Sequence, residues 1–441
     1  MRRASTSPSS IIRRCPVTER LSGENYYRAT ADTPVWPALA GSTSAAVCVI
    51  GAGFAGLSTA LSLLERGEKH VVVLEAETVG HGASGRNGGF VFGGYSLGER
   101  GLLDAAGDGR GVQLYRLTLD AVDHIRGRIE RYRIDCDATH GGIYLANWFD
   151  DDRILDAQQR FMADKLGVEW QRISRAEFAQ RAHSERYFGA LYESNAFHFH
   201  PLKYAHGLAR ALTDGGAHVY EQSRVTRIVR EGEGWSVRTA QGAVHAREVV
   251  VCCGGYIERL YPKLASAILP IATYVMVTEP LGERMQTALE TKAAIYDTRF
   301  AFDYYRPLAD SRLLWGGRIS IRDRSAPDVA RLLYQDMLRV YPQLAGTQVD
   351  YAWSGMMSYG SHKMPQLGCL PEGLWYGMGF GGHGVAPTTL SGEVLARAML
   401  GDRADLDRFS QWGLPTTGGH AGLLAAQLTY WYYELRDWMR Q

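Results

Sequence analysis

Apolar positions in this chain follow two rhythms. The unbroken runs AAVCVI (45–50) and VVVLE (71–75) read as strands buried on both faces. Between them Leu57, Ala60, Leu61 and Leu64 recur at helical spacing, and Gly67 stops the helix. The result is a βαβ unit of about 30 residues. Helical patterns are predicted over 110–135, 151–182, 202–213, 327–341 and 386–400. HVYEQ, RVTRIVR, GWSVRTA and AVHAREVVVCC read as short strands joined by glycine turns. Residues 271–281, 298–308 and 312–318 read as antiparallel strands, the last two joined by a turn at Ala309-Asp310-Ser311. VDYAWSGMMSYG and LWYGMGF add two more strands. No internal repeat or low-complexity linker separates these blocks, so two interleaved units are expected.

The first unit carries G-x-G-x-x-G at Gly51, Gly53 and Gly56, between strand and helix. Gly51 permits the tight turn. Gly53 lets a pyrophosphate approach the helix N-terminus, and Gly56 lets helix and strand pack closely. Glu75 ends the second strand, placed to accept from ribose hydroxyls. Soon after it comes GASGRNGG (82–89), a second polar glycine loop with Ser84, Arg86 and Asn87. Two glycine loops near one pyrophosphate suit a long cofactor such as FAD better than NAD.

A third glycine run, GMGFGGHG (377–384), also matches G-x-G-x-x-G at Gly377, Gly379 and Gly382. A second dinucleotide unit needs another strand ending in an acid about 20 residues on. That position falls near Asp402 in the charged stretch GDRADLDRF. The run is read instead as a strand, a loop and a helix, with Pro387 in the helix's first turn and Gly401 at its end. Such an N-terminus offers free N–H donors and roughly half a positive charge.

VCVIGAGFAGLSTALSLLERG, VVVLEAETVGHGASGRNGG, FHPLKYAHGLARAL, REVVVCCGGY, FDYYRPLADSRLLWGGR, KMPQLG and GMGFGGHGVAPTTLSGEVLARAMLG together span about residues 45–401. They resemble the D-amino-acid-oxidase superfamily of FAD-dependent amine oxidoreductases, and within it the γ-glutamylputrescine oxidoreductase branch. The resemblance implies an α/β fold, α+β overall: a glutathione-reductase-type FAD-binding Rossmann domain interleaved with an antiparallel-sheet substrate domain. The expected division is a disordered tail over 1–24, an FAD domain over 43–100, 200–260 and 360–441, and a substrate domain over 101–199 and 261–359. It implies oxidation of an amine C–N bond by hydride transfer to flavin N5, with O2 or a quinone as acceptor. The expected cofactor-binding set is Gly51, Gly53, Phe54, Ala55, Gly56, Glu75, Ala76, Ser84, Gly85, Arg86, Asn87, Gly88, Gly89, Val225, Cys252, Gly254, Gly381, Gly382, His383, Gly384 and Val385. The late glycine loop would then stabilise negative charge at the flavin pyrimidine end. Non-covalent FAD is expected; His81 and Cys369 are the alternatives for covalent attachment.

The substrate end is expected to come from the antiparallel strands. Tyr274, Tyr305, Arg306 and His383 are the candidate catalytic residues, with Tyr304, Trp315 and Trp353 as further aromatic walls. Many α-amino-acid oxidases of the superfamily clamp a carboxylate with an Arg on the strand before the x-P-x-x-G turn. Here that strand reads YAWSGMMSYG, without Arg. A substrate lacking an α-carboxylate follows, with Arg306 as the alternative clamp. The runner-up substrate is a secondary or cyclic amino acid such as pipecolate or an N-methylated glycine. His198 and His200 (FHFHP) share a strand face without a nearby acid or Cys, so no metal is expected. The adjacent Cys252 and Cys253 read as core.

A net charge of +1 with 22% charged residues argues against a nucleic-acid partner, which needs a clustered basic face. The six cysteines form no C-x-x-C pair, fitting a reducing cytoplasm. MRRASTSPSSIIRRC is Arg- and Ser-rich but lacks the apolar stretch of an export signal. The C-terminal LLAAQLTYWYYELRDWMR is aromatic and amphipathic. It is expected to pack over the FAD domain, with membrane-surface contact as the alternative.

Overall fold

The computed structural model describes residues 21–440. The expected tail over 1–24 lies outside them except for its last four residues, and Leu21 is partly buried against a core that includes Tyr274, Tyr305 and Trp315. The first helix is Tyr26–Thr30, where the Asn25 side chain accepts from Arg28 N.

Two eight-stranded sheets dominate. The first runs Gln366–Cys369, Leu374–Met378, Gly242–Val251, Gly41–Ile50, Val71–Leu74 and His218–Tyr220, with Gly234–Arg238 paired to Gly242–Val251 and Arg227–Glu231 paired to Gly234–Arg238. Its centre is parallel: Ile50 pairs with both Val251 and Leu74, and Leu74 with Tyr220. Val71–Leu74 is buried throughout, as a parallel strand covered by helices on its faces must be. Helices Phe54–Glu65, Pro201–Asp214 and Val385–Met399 pack here. Helix Asp108–Arg131 joins them, although it falls in the stretch expected for the substrate domain. The cause is a buried ion network. Arg128 reaches Glu65 at 2.8 Å and Glu393 at 2.7 Å, and so pins three helices together.

The second sheet runs Val349–Tyr359, Leu269–Thr278, Leu313–Ser320, Tyr304–Pro307, Ala294–Asp297, Ile143–Ala146, Ala190–Glu193 and Gln171–Ile173. It is antiparallel except where Ala294–Asp297 meets Ile143–Ala146. Helix Ala326–Val340 covers its outer face. The long predicted helix over 151–182 is broken into Arg153–Phe161, one wider turn at Met162–Leu166, the strand Gln171–Ile173 and Arg175–Ala182. Gly167 at φ +68° stops the first part, and a Ser174/Glu177 capping box starts the last.

The C-terminal helix Gly419–Met439 does not lie over the first sheet. It packs on the second sheet instead. Asp437 accepts from Phe300 N at 2.7 Å, Glu434 pairs with Arg318 at 2.8 Å, and Tyr433 stacks on Phe300. Its outer face leaves Leu428, Trp431, Leu435 and Trp438 more than half exposed. No helix among the described residues is long and apolar enough to cross a membrane.

Candidate active site

The two sheets meet along a cavity of about 890 Å³. That is the upper part of the roughly 300–1,000 Å³ range of ligand pockets. At one end lies the first glycine loop. Gly51 sits at φ +105°, a conformation open to glycine and strained for other residues. A Cβ on Gly56 would lie 1.9 Å from Gly51 O, so only hydrogen fits between helix and turn. Gly51, Gly53, Phe54 and Ala55 line the cavity; Gly56 lies behind them as a packing position. Glu75 and Ala76 also line it. Glu75 accepts from Ala52 N at 2.8 Å and Glu77 N at 3.0 Å. Burial raises its carboxyl above the usual range, and these N–H groups pull it back. Val225, Cys252 and Gly254 border the same end. Burial raises the Cys252 thiol to about 12, so it stays protonated.

The second glycine loop, 82–89, folds over the first. Ser84 Oγ accepts from Phe54 N at 2.8 Å, at the helix N-terminus. Ser84, Arg86, Asn87 and Gly88 line the cavity. Gly85 and Gly89 do not. A Cβ on Gly85 would meet Gly80 O at 2.3 Å, and one on Gly89 would meet Phe199 O at 2.1 Å, so both are framework positions. Three consecutive loop carbonyls are gripped from behind. Trp353 Nε1 donates to Arg86 O (2.9 Å), Tyr27 OH to Asn87 O (2.8 Å) and Arg306 Nε to Gly88 O (2.7 Å).

The third glycine run is not part of a second nucleotide unit. No strand follows it; the helix Val385–Met399 does, and Asp402 falls in a short connection. Gly381, Gly382, His383, Gly384 and Val385 all line the one cavity. No side chain caps this helix N-terminus. His383 Nε2 lies 3.3 Å from Phe92 O, and its ring packs 4.1 Å from Phe92. Burial lowers the imidazole to about 4 against the pull of the Phe92 and Gly93 carbonyls, so His383 is neutral at pH 7.

Three of the four candidate catalytic residues are corrected by the structure. Tyr305 is fully buried on the far face of its strand, stacked on Trp315 at 4.2 Å, with its hydroxyl between Tyr187 and Tyr341. Tyr304, one residue earlier, lines the cavity. Tyr274 is likewise turned away, donating to Arg322 O at 2.6 Å, while its neighbour Thr273 lines the cavity. Strand alternation decides both cases. Arg306 is buried and fully engaged with Gly88 O, Phe199 O, Tyr27 and His198, so it is no free carboxylate clamp. Trp315 and Trp353 are core and loop support. His198 and His200 are held low, to about 3, by burial and by Arg306. Nε2 of His198 faces Lys292 O, and Nδ1 of His200 accepts from Lys203 N in the first turn of helix Pro201–Asp214.

Residues with no signal in the sequence complete the far end: Phe92, Glu99, Tyr296, Phe302, Arg318 and Tyr359. They come from six separate segments, so only the folded register brings them together. His81 also borders the cavity, while Cys369 does not.

The site suits a long dinucleotide with an aromatic head. Both glycine loops and an uncapped helix N-terminus face one continuous cavity. Nε of Arg86, in the wall, is buried without a partner among the described residues. The family model described as "DAO: FAD dependent oxidoreductase" matches residues 46–398. The chain is 37% identical over 436 residues to gamma-glutamylputrescine oxidoreductase of Escherichia coli K12, covering 96% of this chain and 99% of that one. It is 35% identical to the probable oxidoreductase OrdL of Haemophilus influenzae, covering 91% and 94% of the two chains. The solved glycine oxidase of Bacillus cereus superposes with a TM-score of 0.69 at 22% identity, over 82% of this chain and 98% of that one. L-proline dehydrogenase of P. horikoshii gives 0.70 at 18% identity, over 86% and 100%. At those identities the structures speak for the fold. The family match and the identities above 30% along nearly the full length speak for kinship: the chain belongs to the DAO family of FAD-dependent oxidoreductases.

Proposed function

We propose that this chain oxidises the C–N bond of γ-glutamylputrescine or a related amine to an imine, which hydrolyses to an aldehyde, with O2 as the final acceptor. The observation that carries the reading is the make-up of the cavity's far end. Phe92, Tyr296, Phe302 and Tyr304 form aromatic walls, and Glu99 opens between them. The guanidinium on this wall, Arg318, is already held by Asp336 at 2.7 Å and Glu434 at 2.8 Å. Aromatic faces suit an alkylammonium. The 37% identity to a gamma-glutamylputrescine oxidoreductase points the same way.

When bound, FAD supplies the acceptor for the hydride equivalent leaving the carbon next to nitrogen. The loop Gly51–Gly53 and the N-terminus of helix Phe54–Glu65 would hold its pyrophosphate, with Glu75 on the ribose. Val225 and Cys252–Gly254 would flank the adenosine half. Residues Ser84–Gly88 and the donors at Gly381–Val385 would receive the ring end. Neutral His383 shapes that end and donates or accepts a hydrogen bond without carrying charge. The aromatic walls exclude water and align the C–H bond.

The test is anaerobic mixing of the flavin-loaded enzyme with γ-glutamylputrescine, putrescine, sarcosine, pipecolate and glycine. The reading expects γ-glutamylputrescine to bleach the visible flavin band fastest. Bleaching by pipecolate or sarcosine alone overturns it. Reoxidation by O2 compared with a quinone analogue then assigns the acceptor.

A further inference from the structure

Two carboxyls beside the aromatic walls, Glu193 buried and Glu99 half-buried, form no ion pair among the described residues. Glu99 begins the helix Glu99–Ala106 and lines the cavity. Among the described residues its one side-chain hydrogen bond comes from Gln158 Nε2, at a marginal 3.5 Å. Glu193 ends the strand Ala190–Glu193 and is 8% exposed. Its carboxyl makes no hydrogen bond and no ion pair among the described residues.

The register shows where Glu193 points. Glu193 pairs with Ile143 and Leu191 with Leu145, and Leu145 pairs in turn with Tyr296. Residues two apart share a face, so Glu193 lies on the face that carries Leu145 and Tyr296. Both of these line the cavity. Glu99 Oε1 and His383 Cε1 lie 3.1 and 3.3 Å from the point a Gly94 Cβ would occupy, so the acid stands beside the imidazole.

We propose that Glu99, backed by Glu193, is a cation-receiving subsite that binds the substrate's terminal alkylammonium and rejects an ammonium group whose own carbon bears a carboxylate. The inference deepens the amine reading and rests on it. Two acids with no protein cation beside them repel each other when ionised, and desolvation favours their neutral forms. Burial, then the mutual charge, raises Glu193 to about 8, and Glu99 is raised by burial as well. The other titratable or charged groups facing them are Tyr115, Tyr296, the neutral His383 and Arg100. Arg100 is turned outward, donating to Ala157 O and lying over Phe161. An incoming ammonium supplies the missing charge: it favours the ionised form of the acid pair and so draws protons off it. A carboxylate next to the nitrogen would meet that negative charge instead. Glu99 touches the ligand; Glu193 acts through it.

The test is calorimetric binding to the flavin-loaded enzyme, which needs no turnover. The probes are n-butylamine, as its ammonium ion, and L-norvaline, which adds an α-carboxylate to the same chain. The wild-type enzyme should prefer n-butylammonium by at least about tenfold. E99Q should weaken n-butylammonium by about tenfold and leave L-norvaline within about twofold. E193Q should bind n-butylammonium with less proton release, read by repeating the titration in buffers of different ionisation enthalpy. Equal weakening of both probes, or none, in a flavin-loaded E99Q overturns the subsite. If no amine reduces the flavin, the oxidase reading fails while the binding difference still decides this one.

Discussion

The two ends of the cavity are built from different parts of the chain. The dinucleotide end is made of backbone: glycine turns, helix N-termini and carbonyls gripped from behind. The substrate end is made of side chains from six separate segments of the fold. A backbone site is specified locally, because a missing Cβ is required at a fixed place. A side-chain site is specified by register, and changing one residue leaves the scaffold standing. The first should therefore fail as a unit, and the second piece by piece.

The sharpest contrast comes from Gly56→Ala. The new methyl would meet the backbone oxygen Gly51 O at 1.9 Å, with nothing flexible to yield. The expected loss is roughly 4 kcal/mol or more, with most bound FAD. Thermal melting and the flavin-to-protein absorbance ratio measure both. A variant that keeps wild-type flavin content would break the comparison.

Next in size is the pair Tyr305→Ala and Tyr304→Ala. Tyr305 fills a core layer against Trp315 and Tyr341, so its truncation should cost about 3–5 kcal/mol. Turnover per bound flavin should hold. Tyr304→Ala should instead change KM for the amine, because its ring borders the cavity. If both variants change KM alike, the assignment of strand faces is wrong.

The same pair explains what could be read in advance. The βαβ unit, the two early glycine loops and the GGHG helix were legible because each demands glycine or an acid at a set spacing. The strand Tyr304–Pro307 was legible as a strand, but its phase was not. YYR presents an aromatic to each face, and composition does not say which face meets the cavity. Tyr274 and Thr273 pose the same problem. Glu99 was illegible for another reason: its neighbours His383, Tyr296 and Glu193 lie far away in sequence. The C-terminal helix was recognisable as amphipathic, yet its docking on Phe300 and Arg318 depends on Asp437 and Glu434 finding partners in the other sheet.

Glu193→Gln should be stabilising near pH 8, by up to about 4 kcal/mol. The folded carboxyl keeps its proton up to about 8, whereas an unfolded glutamate releases it near 4.3. Wild-type stability is thus intact below the unfolded value and erodes as pH rises from there through about 8. The amide removes that loss. The gain should be large at pH 8 and absent at pH 4, read as the difference in Tm between the two proteins. An equal gain at both pH values would mean that the carboxyl is not desolvated.

Arg306→Met tests whether the backbone end can be loosened from behind without touching the cavity. The guanidinium donates to Gly88 O at 2.7 Å and Phe199 O at 2.8 Å, fixing the loop against the segment that leads into helix Pro201–Asp214. Methionine fills much of the space but donates nothing. Trp353 and Tyr27 still hold the carbonyls of Arg86 and Asn87, so the loop should sag rather than open. FAD affinity should fall about tenfold, or about 1.4 kcal/mol, in titrations of the flavin-free protein. At saturating FAD, kcat and KM for the amine should return to wild-type values, since Arg306 reaches no cavity-lining atom of the substrate end. A KM defect that persists at saturating FAD would restore Arg306 to the substrate and erase the boundary between the two ends.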